Sequence, residues 1–440
     1  MRIGYCSPFN PMRSGISDFS EELVWKLKEY CEIIIFSPVK LENKDIANSF
    51  ECHDLADLEK DDVRRRLDLI VYHVGNNYQY HGKIVEYLKK YPGIVELHDL
   101  GLHHLSAAMT LEQQGQEAYL ELVKYCHGER GVAIAKRFFA GQSGAPWNDH
   151  ALDMCMNRHV IEHAKGMIVH SEMAKQVVLG LFPEMPIINI MLHTEPTEES
   201  PEIMTKAARE KFGFNNKTLV MGSFGFATSA KRIIPCLDAL KHFKESHDVD
   251  FSYLIVGEAA KDLNLKQEIS SRGLEKNVIV TGFTTLEDFK QYMWACDLCF
   301  NLRYPTQGES SASLHRLLGM GKTIVVTDIG SFSDYPSNVA LKVGYGNSEV
   351  DDIYQAICQF VEMNPAEKEE QRRQAQQFAQ EYCDIEKNAC LYREFFWRLI
   401  HGVWQPDYCD VMIGRLCELG LTDESYTARI SELMNCLGLL

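Results

Sequence analysis

Tyr304 to Gly330 reads YPTQGESSASLHRLLGMGKTIVVTDIG, and it passes from loop to helix to strand. Gly308 gives the backbone freedom, Ser310 and Ser311 are candidate N-caps, and Leu314, Leu317 and Leu318 fall at helical spacing on one face. Gly319 and Gly321 stop the helix before TIVVT, a short β-branched run. A helix that starts in glycine and serine off the end of a parallel strand exposes free backbone N–H groups and the positive end of its dipole. That is an anion site suited to a diphosphate. Glu309 would repel phosphate, so its two oxygens are assigned to sugar hydroxyls instead.

Outward from this stretch the same grammar recurs: short apolar runs bounded by turns, separated by helical periodicity, as parallel strands with crossover helices require. In the first half the expected strands are Arg2 to Cys6, Glu32 to Phe36, Leu67 to Tyr72, Gly93 to Leu97 and Gly166 to Val169. The second half restarts with Thr218 to Gly222, Phe251 to Val256, Val278 to Thr281, Leu298 to Leu302 and Thr323 to Thr327. The join is expected near Met185 to Pro201, where proline and acidic residues mix. Helices are expected over Pro365 to Tyr382 and Ile385 to His401. Trp404, Tyr408, Met412, Leu416 and Leu419 then need somewhere to pack, which sends the tail back to the first domain. The expected organisation is residues 1–192, residues 193–382 and a C-terminal helical segment 383–440.

A chain of 440 residues exceeds what one core usually supports, and 45% apolar with 24% charged residues is globular composition. The formal charge of −17 argues against a nucleic-acid binder and against adhesion to anionic lipid by charge alone. The basic stretch Lys124 to Phe139 reads as a solvated helix face, with a membrane or acidic-acceptor surface as the alternative. MRIGYCSPF lacks the grammar of a signal peptide, and no apolar run approaches the ~18 to 20 residues that span a bilayer. The expected location is therefore cytoplasmic, or at the inner face of the membrane with at most peripheral contact. The fourteen cysteines are scattered and expected as reduced thiols, with Cys296 and Cys299 in a buried strand.

Three further segments carry chemistry. GSFGFATSAKR, Gly222 to Arg232, is a glycine-rich turn between strand and helix that ends in the cations Lys231 and Arg232. SPFNPMRSGISDFSEEL, Ser7 to Leu23, places Gly15 before a helix, where the backbone can come close to a ligand. In GIVELHDLGLHHL, Gly93 to Leu105, a buried strand ends in His98 and Asp99, and polar side chains there face the ligand crevice of an open α/β sheet. His98, Asp99, His103 and His104 lack the i, i+4 histidine pair with a positioned glutamate of a helical zinc site, so no metal is assigned.

Together these segments resemble family 4 of the glycosyltransferases, in the branch whose donor motif reads G-E-S/T-S-A-S-L-x-R before a G-K-x-x-V-x-S/T-D-x-G strand. The resemblance covers roughly residues 1 to 395. It implies a GT-B fold, two Rossmann-like α/β domains facing across a cleft, with the second binding the nucleotide sugar and the first the acceptor. Lys231 matches the lysine of the family's G-R-x-x-x-x-K-G loop; Phe226 stands where its arginine usually does, and Arg232 is the candidate substitute. Arg316 stands where the family's ribose-binding glutamate is expected, and is left between ribose, phosphate and a helix ion pair. His98 matches the histidine that lies beside the donor sugar, and Asp334 the acid of the G-x-x-E turn. YHVGNNYQYH, Tyr72 to His81, matches a strand-end G-N segment. Gly75, Asn76 and His81 are thus candidates for the acceptor side along with Asp99, loop packing being the alternative.

The resemblance implies a retaining, metal-independent transfer of a hexose-type sugar from a UDP- or GDP-linked donor to an acceptor hydroxyl of a glycan or lipid-linked acceptor. Polysaccharide, glycolipid or glycoconjugate assembly is the expected setting. His98, Glu309 and Lys231 are the expected catalytic residues, and Gly15, Arg232, Ser310, Ser311, Arg316 and Asp334 the donor contacts; no cofactor beyond the co-substrate is expected. The rival readings are a sugar-nucleotide epimerase or hydrolase, and a non-catalytic scaffold on the same fold.

Overall fold

Two parallel sheets organise the computed structural model, which describes residues 1–12, 14–194, 200–215 and 217–405. The first holds β1 (Arg2–Cys6), β2 (Glu32–Ser37), β3 (Glu51–Asp54), β4 (Leu69–Val74), β5 (Ile94–Leu97), β6 (Gly166–Val169) and β7 (Ile187–Asn189). Its spatial order is β3-β2-β1-β4-β5-β6-β7. The second holds β8 (Leu219–Phe224), β9 (Phe251–Val256), β10 (Val278–Gly282), β11 (Leu298–Asn301), β12 (Thr323–Thr327) and β13 (Leu341–Val343), in the order β10-β9-β8-β11-β12-β13. Both are Rossmann-like. The strand order reverses between β1 and β4 in the first sheet and between β8 and β11 in the second, and such reversals open the crevice in which α/β proteins bind ligands.

The strands are apolar because helices cover them. Ile34, Phe36, Val95, Leu97 and Val169 lie in one core, and Met221, Tyr253, Ile255, Phe300 and Val325 in the other. The helix Gly15–Leu27 starts where the Ser14 hydroxyl accepts from the Ile16 amide, and buries Phe19, Leu23, Val24 and Leu27. The helix Pro365–Tyr382 begins with a complete capping box of Asn364 and Glu367.

By internal contact the chain forms two compact units. One comprises Met1–Met191, Gln307–Ser310 and the segment from Glu386; the other comprises Leu192–Thr306 and Ser311–Ile385. The helix Ile385–Ile400 docks on the first unit: Asn388 Nδ2 donates to the Met191 carbonyl at 2.8 Å and the Tyr392 hydroxyl to Glu96 Oε1 at 2.6 Å. Trp404 packs edge-on against Phe395. Tyr408, Met412, Leu416 and Leu419 lie outside the described residues.

Three strands escaped the pattern. β3 is half exposed and reads ECHD, while β7 and β13 have only three residues each, too few to show alternation. β7 falls inside the stretch expected to be the join, and the division between units follows it, at Met191. Lys124, Arg130, Lys136 and Arg137 are exposed on the helix Gln116–Phe139, and Cys296 and Cys299 are fully buried. Among the described residues no helix is long and apolar enough to cross a membrane.

Candidate functional site

In the second domain the chain leaves β8 through Gly225, whose φ of +88° suits glycine, and a Cβ there would stand 2.6 Å from Lys231 Nζ. The turn thus folds the lysine back over its own strand end, where Nζ donates to the Phe224 carbonyl. Phe226 is 55% exposed. Arg232, itself at φ +56°, turns the other way: its Nε donates to Glu349 Oε1 at 2.7 Å, and Glu349 is buried. The guanidinium also lies 5.8 Å from the centre of the Tyr304 ring, which stacks on Tyr345 at 4.6 Å. The charge expected of Arg232 toward a diphosphate is therefore committed to a carboxylate within the domain.

The neighbouring strand β11 ends in Asn301, and the helix Ala312–Gly319 follows. Ser311 caps it, its hydroxyl accepting from the Leu314 amide at 3.4 Å and donating to Asn301 Oδ1 at 2.9 Å. The amide of Tyr304 donates to the Ala230 carbonyl at 2.8 Å, which joins the loop after β11 to the turn that carries Lys231. A cation and a helix N-terminus thus flank the reversal point of this sheet. Arg316 lies in the last turn of that helix and Asp334 ends the 3₁₀ turn Gly330–Asp334; both are half-buried. The motif lysine Lys322 is structural. It is fully enclosed and donates to the carbonyls of Trp294 and Cys296 at 2.8 and 2.9 Å, and burial pushes its pKa down.

Ser310 is not a cap. It groups with Gln307–Ser310 in the first unit, where its hydroxyl donates to the His170 carbonyl at 3.0 Å. In the same segment Glu309 Oε2 accepts from the Gln307 amide at 2.7 Å, and the Gln307 carbonyl accepts from the Gly101 amide at 2.6 Å.

The first domain gathers the remaining candidates at the ends of β4 and β5. Asp99 accepts from the Asn76 amide at 2.7 Å, and Asn76 Oδ1 from the Leu105 amide at 3.1 Å. A Cβ on Gly75 would lie 3.0 Å from His81 Nε2 and 3.1 Å from Asp99 Oδ2, so these residues close on one another. His81 is buried, donates through Nδ1 to the His73 carbonyl at 3.0 Å, and is pushed down to about 4 by burial. That places it under the loop rather than along an open surface. Gly15 is the exposed first residue of its helix, with open space where a Cβ would sit and an ordinary φ, so nothing in the fold demands glycine there.

His98 retains 8% exposure and sits among residues that the motif reading passed over. Its Nε2 lies 3.0 Å from His73 Nδ1, while Phe19 and His170 flank the ring. Beneath, Glu96 and His73 are completely enclosed, with His73 Nε2 3.4 Å from Glu96 Oε2 and His170 Nε2 3.5 Å from Glu96 Oε1. Burial, followed by neighbouring imidazoles, drives His98 well below the usual histidine range. Glu96 is pushed up to about 8 by burial, against the opposing hydrogen bond from Tyr392. Ligand-type atoms of His73, Glu96 and His98 lie within 4.8 Å of one another, the one such group among the described residues. Yet His73 meets Glu96 through Nε2 and His98 through Nδ1, so the three form a chain rather than a convergent metal cradle. Their signal in the sequence was a polar residue inside an apolar strand: IVYHV, IVEL, and His170 directly after GMIV.

Residues 204–381 match the family model described as Glycosyl transferases group 1. No curated protein matches the chain. Among solved structures it is similar to sucrose-phosphate synthase from Thermosynechococcus elongatus, at 14% identity and a TM-score of 0.62 over 91% of this chain and 100% of that one. It is likewise similar to WaaG, a glycosyltransferase involved in lipopolysaccharide biosynthesis, at 13% identity and 0.57 over 88% and 99%. HepE from Anabaena, solved with UDP and glucose, gives 17% and 0.56 over 90% and 98%. What these likenesses share with the present chain is the fold, two Rossmann-like parallel-sheet domains of the kind found in GT-B glycosyltransferases.

Proposed function

We propose that the chain is a retaining glycosyltransferase that moves a hexose-type sugar from a nucleotide-diphosphate sugar to an acceptor hydroxyl. The observation that carries the reading is the bond from the Tyr304 amide to the Ala230 carbonyl, which sets Lys231 and the Ser311-capped helix end on adjoining loops at a strand-order reversal. The reading draws support from the group 1 match, whose residues 204–381 contain this whole constellation. The Anabaena neighbour solved with UDP-glucose makes UDP-sugars the first donors to test.

In this reading Lys231 and the free amides of the helix Ala312–Gly319 hold the diphosphate, and Glu309 accepts from donor-sugar hydroxyls. Arg316 and Asp334 are the further donor contacts. Arg232 serves by fixing the turn through Glu349. The first domain sets His98 at the reacting face and supplies the acceptor side through Asp99, Asn76, His81 and the loop at Gly75. The sugar C1–O(phosphate) bond breaks and a C1–O(acceptor) bond forms on the same face, and the acceptor proton passes to the departing phosphate oxygen. Fixed donors stabilise the charge that grows on that oxygen, and the lysine takes the place of a divalent ion. Assembly of a polysaccharide or lipid-linked glycan on the cytoplasmic side is the setting proposed.

The test is a titration with UDP-, GDP- and ADP-sugars followed by product analysis, before and after EDTA. One donor should bind and be turned over only with an acceptor, at a rate EDTA leaves within about twofold. Binding of none points to a scaffold; release of free nucleotide without acceptor points to a hydrolase.

A further inference from the structure

His98 has two ring nitrogens, and Nε2 is taken by His73 at 3.0 Å, so its remaining hydrogen-bonding capacity is Nδ1. The tautomer follows from what lies behind it. His81 donates through Nδ1 to the His73 carbonyl and His170 through Nδ1 to the Ile190 carbonyl at 2.7 Å, which fixes a proton at each of those atoms. The Tyr392 hydroxyl donates to Glu96 Oε1, and Tyr5 on β1 is itself enclosed beside it. The groups facing Glu96 are Tyr5, His73, His170 and Tyr392. Glu96 Oε2 and His73 Nε2 are enclosed without another partner, 3.4 Å apart, and a buried polar pair of this kind closes on a shared proton.

We infer that Glu96 and His73 are positioning residues that set which hydrogen-bonding face His98 presents: a donor at Nδ1 when Glu96 is protonated, an acceptor when it is ionised. In the first state Glu96 Oε2–H donates to His73 Nε2, His73 Nδ1–H to His98 Nε2, and His98 keeps its proton on Nδ1. In the second, the Glu96 proton has moved to His73 Nε2, the His73 proton to His98 Nε2, and the proton of His98 Nδ1 has left. The two states differ by one proton. It departs from His98, while the charge it leaves behind appears on Glu96. Neither imidazole becomes a cation, in keeping with the burial that depresses His98 and His73. The acid raised to about 8 places the exchange just above neutrality. If His98 serves the reacting face as proposed above, the chain offers it a base or an acid without charging a buried ring.

The full chain with ¹⁵N-labelled histidine, read by long-range ¹H–¹⁵N spectra from pH 6 to 9.5, tests this without substrate, so its outcome is separate from that of the glycosyl-transfer reading. His98 should pass from the Nδ1–H to the Nε2–H form with a midpoint near the pH at which Glu96 ionises. Glu96→Gln, whose amide donates to His73 as the acid does, should hold the Nδ1–H form at every pH. Tyr392→Phe removes a bond to the ionised carboxylate and should move the midpoint up by about one pH unit. It also keeps the test alive if Glu96→Gln does not fold. A His98 tautomer that stays constant in the native protein overturns the inference, as does a transition that survives Glu96→Gln, an unmoved midpoint in Tyr392→Phe, or stoichiometric zinc in the purified protein.

Discussion

At the strand ends of the first domain the polar groups are inside: His73, Glu96, His98 and His170 are enclosed among themselves. At those of the second, a half-buried lysine and a capped helix end stand on loops. The two sheets share a parallel topology with a reversed strand order, so the contrast lies in side chains, not architecture. Enclosed imidazoles stay neutral because desolvation penalises the ion, and they serve proton position rather than charge. The second domain keeps a full positive charge and a helix dipole on its loops, which serves anions. In the proposed reading, similar frames thus divide two tasks, steering protons and holding phosphate.

Acid separates them most. His73 and His98 lie well below the usual range, His81 falls to about 4, and His103 and His159 to about 3, all chiefly through burial. Below the unfolded value near 6.5 the unfolded chain takes up protons that these folded rings refuse. Stability is therefore fully present above that pH and falls as pH drops toward 4, by on the order of 1.4 kcal/mol per pH unit per ring. Glu96 runs the other way, its contribution complete below the unfolded acid value and lost as pH rises toward about 8, so it offsets one ring. Unfolding free energies from urea titration at pH 7 and pH 5 should differ by several kcal/mol, and equal values would mean the rings are not held neutral.

Next in size is Lys231→Ala. Loss of a fixed cation at a leaving group lowers kcat/KM by about 10²- to 10³-fold, with unfolding little changed. If turnover on a matched donor is unimpaired, the phosphate task does not belong to this turn. Gly225→Ala is smaller. It forces a side chain into φ +88° and sets a Cβ 2.6 Å from Lys231 Nζ. A stability loss of about 1 to 3 kcal/mol and a roughly tenfold fall in kcat/KM are expected, the strain from the backbone and the rate from the displaced lysine. A normal rate would show that the lysine needs no such turn.

Strands were legible in both domains, Arg2–Cys6 and Gly166–Val169 in the first as well as those of the second, but the first domain's polar cluster was not. Phe251–Val256 and Thr323–Thr327 were readable strand by strand, and Ser311 and Lys231 stand on loops whose glycine and serine announce what the backbone does. Local chemistry suffices there, since a cap and a turn are decided within a few residues. Arg232 shows the limit, because its partner Glu349 is 117 residues away and no spacing rule joins them. The first domain's chain depends on such distant partners throughout. Glu96 meets Tyr392 across 296 positions, and His73, His98 and His170 come together only because β4, β5 and β6 lie side by side. His98 was found by its place at a strand end, but its neighbours read as core. Ser310 is no cap for a related reason: adjacent to the true cap in sequence, it turns to the His170 carbonyl instead.

The smallest effect sharpens the comparison most finely, because it separates a helix end that only folds from one that also binds. Ser311→Ala removes a hydroxyl that accepts from the Leu314 amide and donates to Asn301 Oδ1. Loss of a serine cap costs about 1 kcal/mol, and Ser311→Thr, which keeps the hydroxyl, should recover most of it. If the amides of this helix hold the donor diphosphate, the alanine variant frays the first turn that presents them, and the donor Kd should rise a few-fold while the threonine variant stays near the native value. Denaturant midpoints and donor titration on the same samples read both quantities. A midpoint that falls with an unchanged Kd would leave the cap to folding alone, and the phosphate task would then rest on the turn at Lys231.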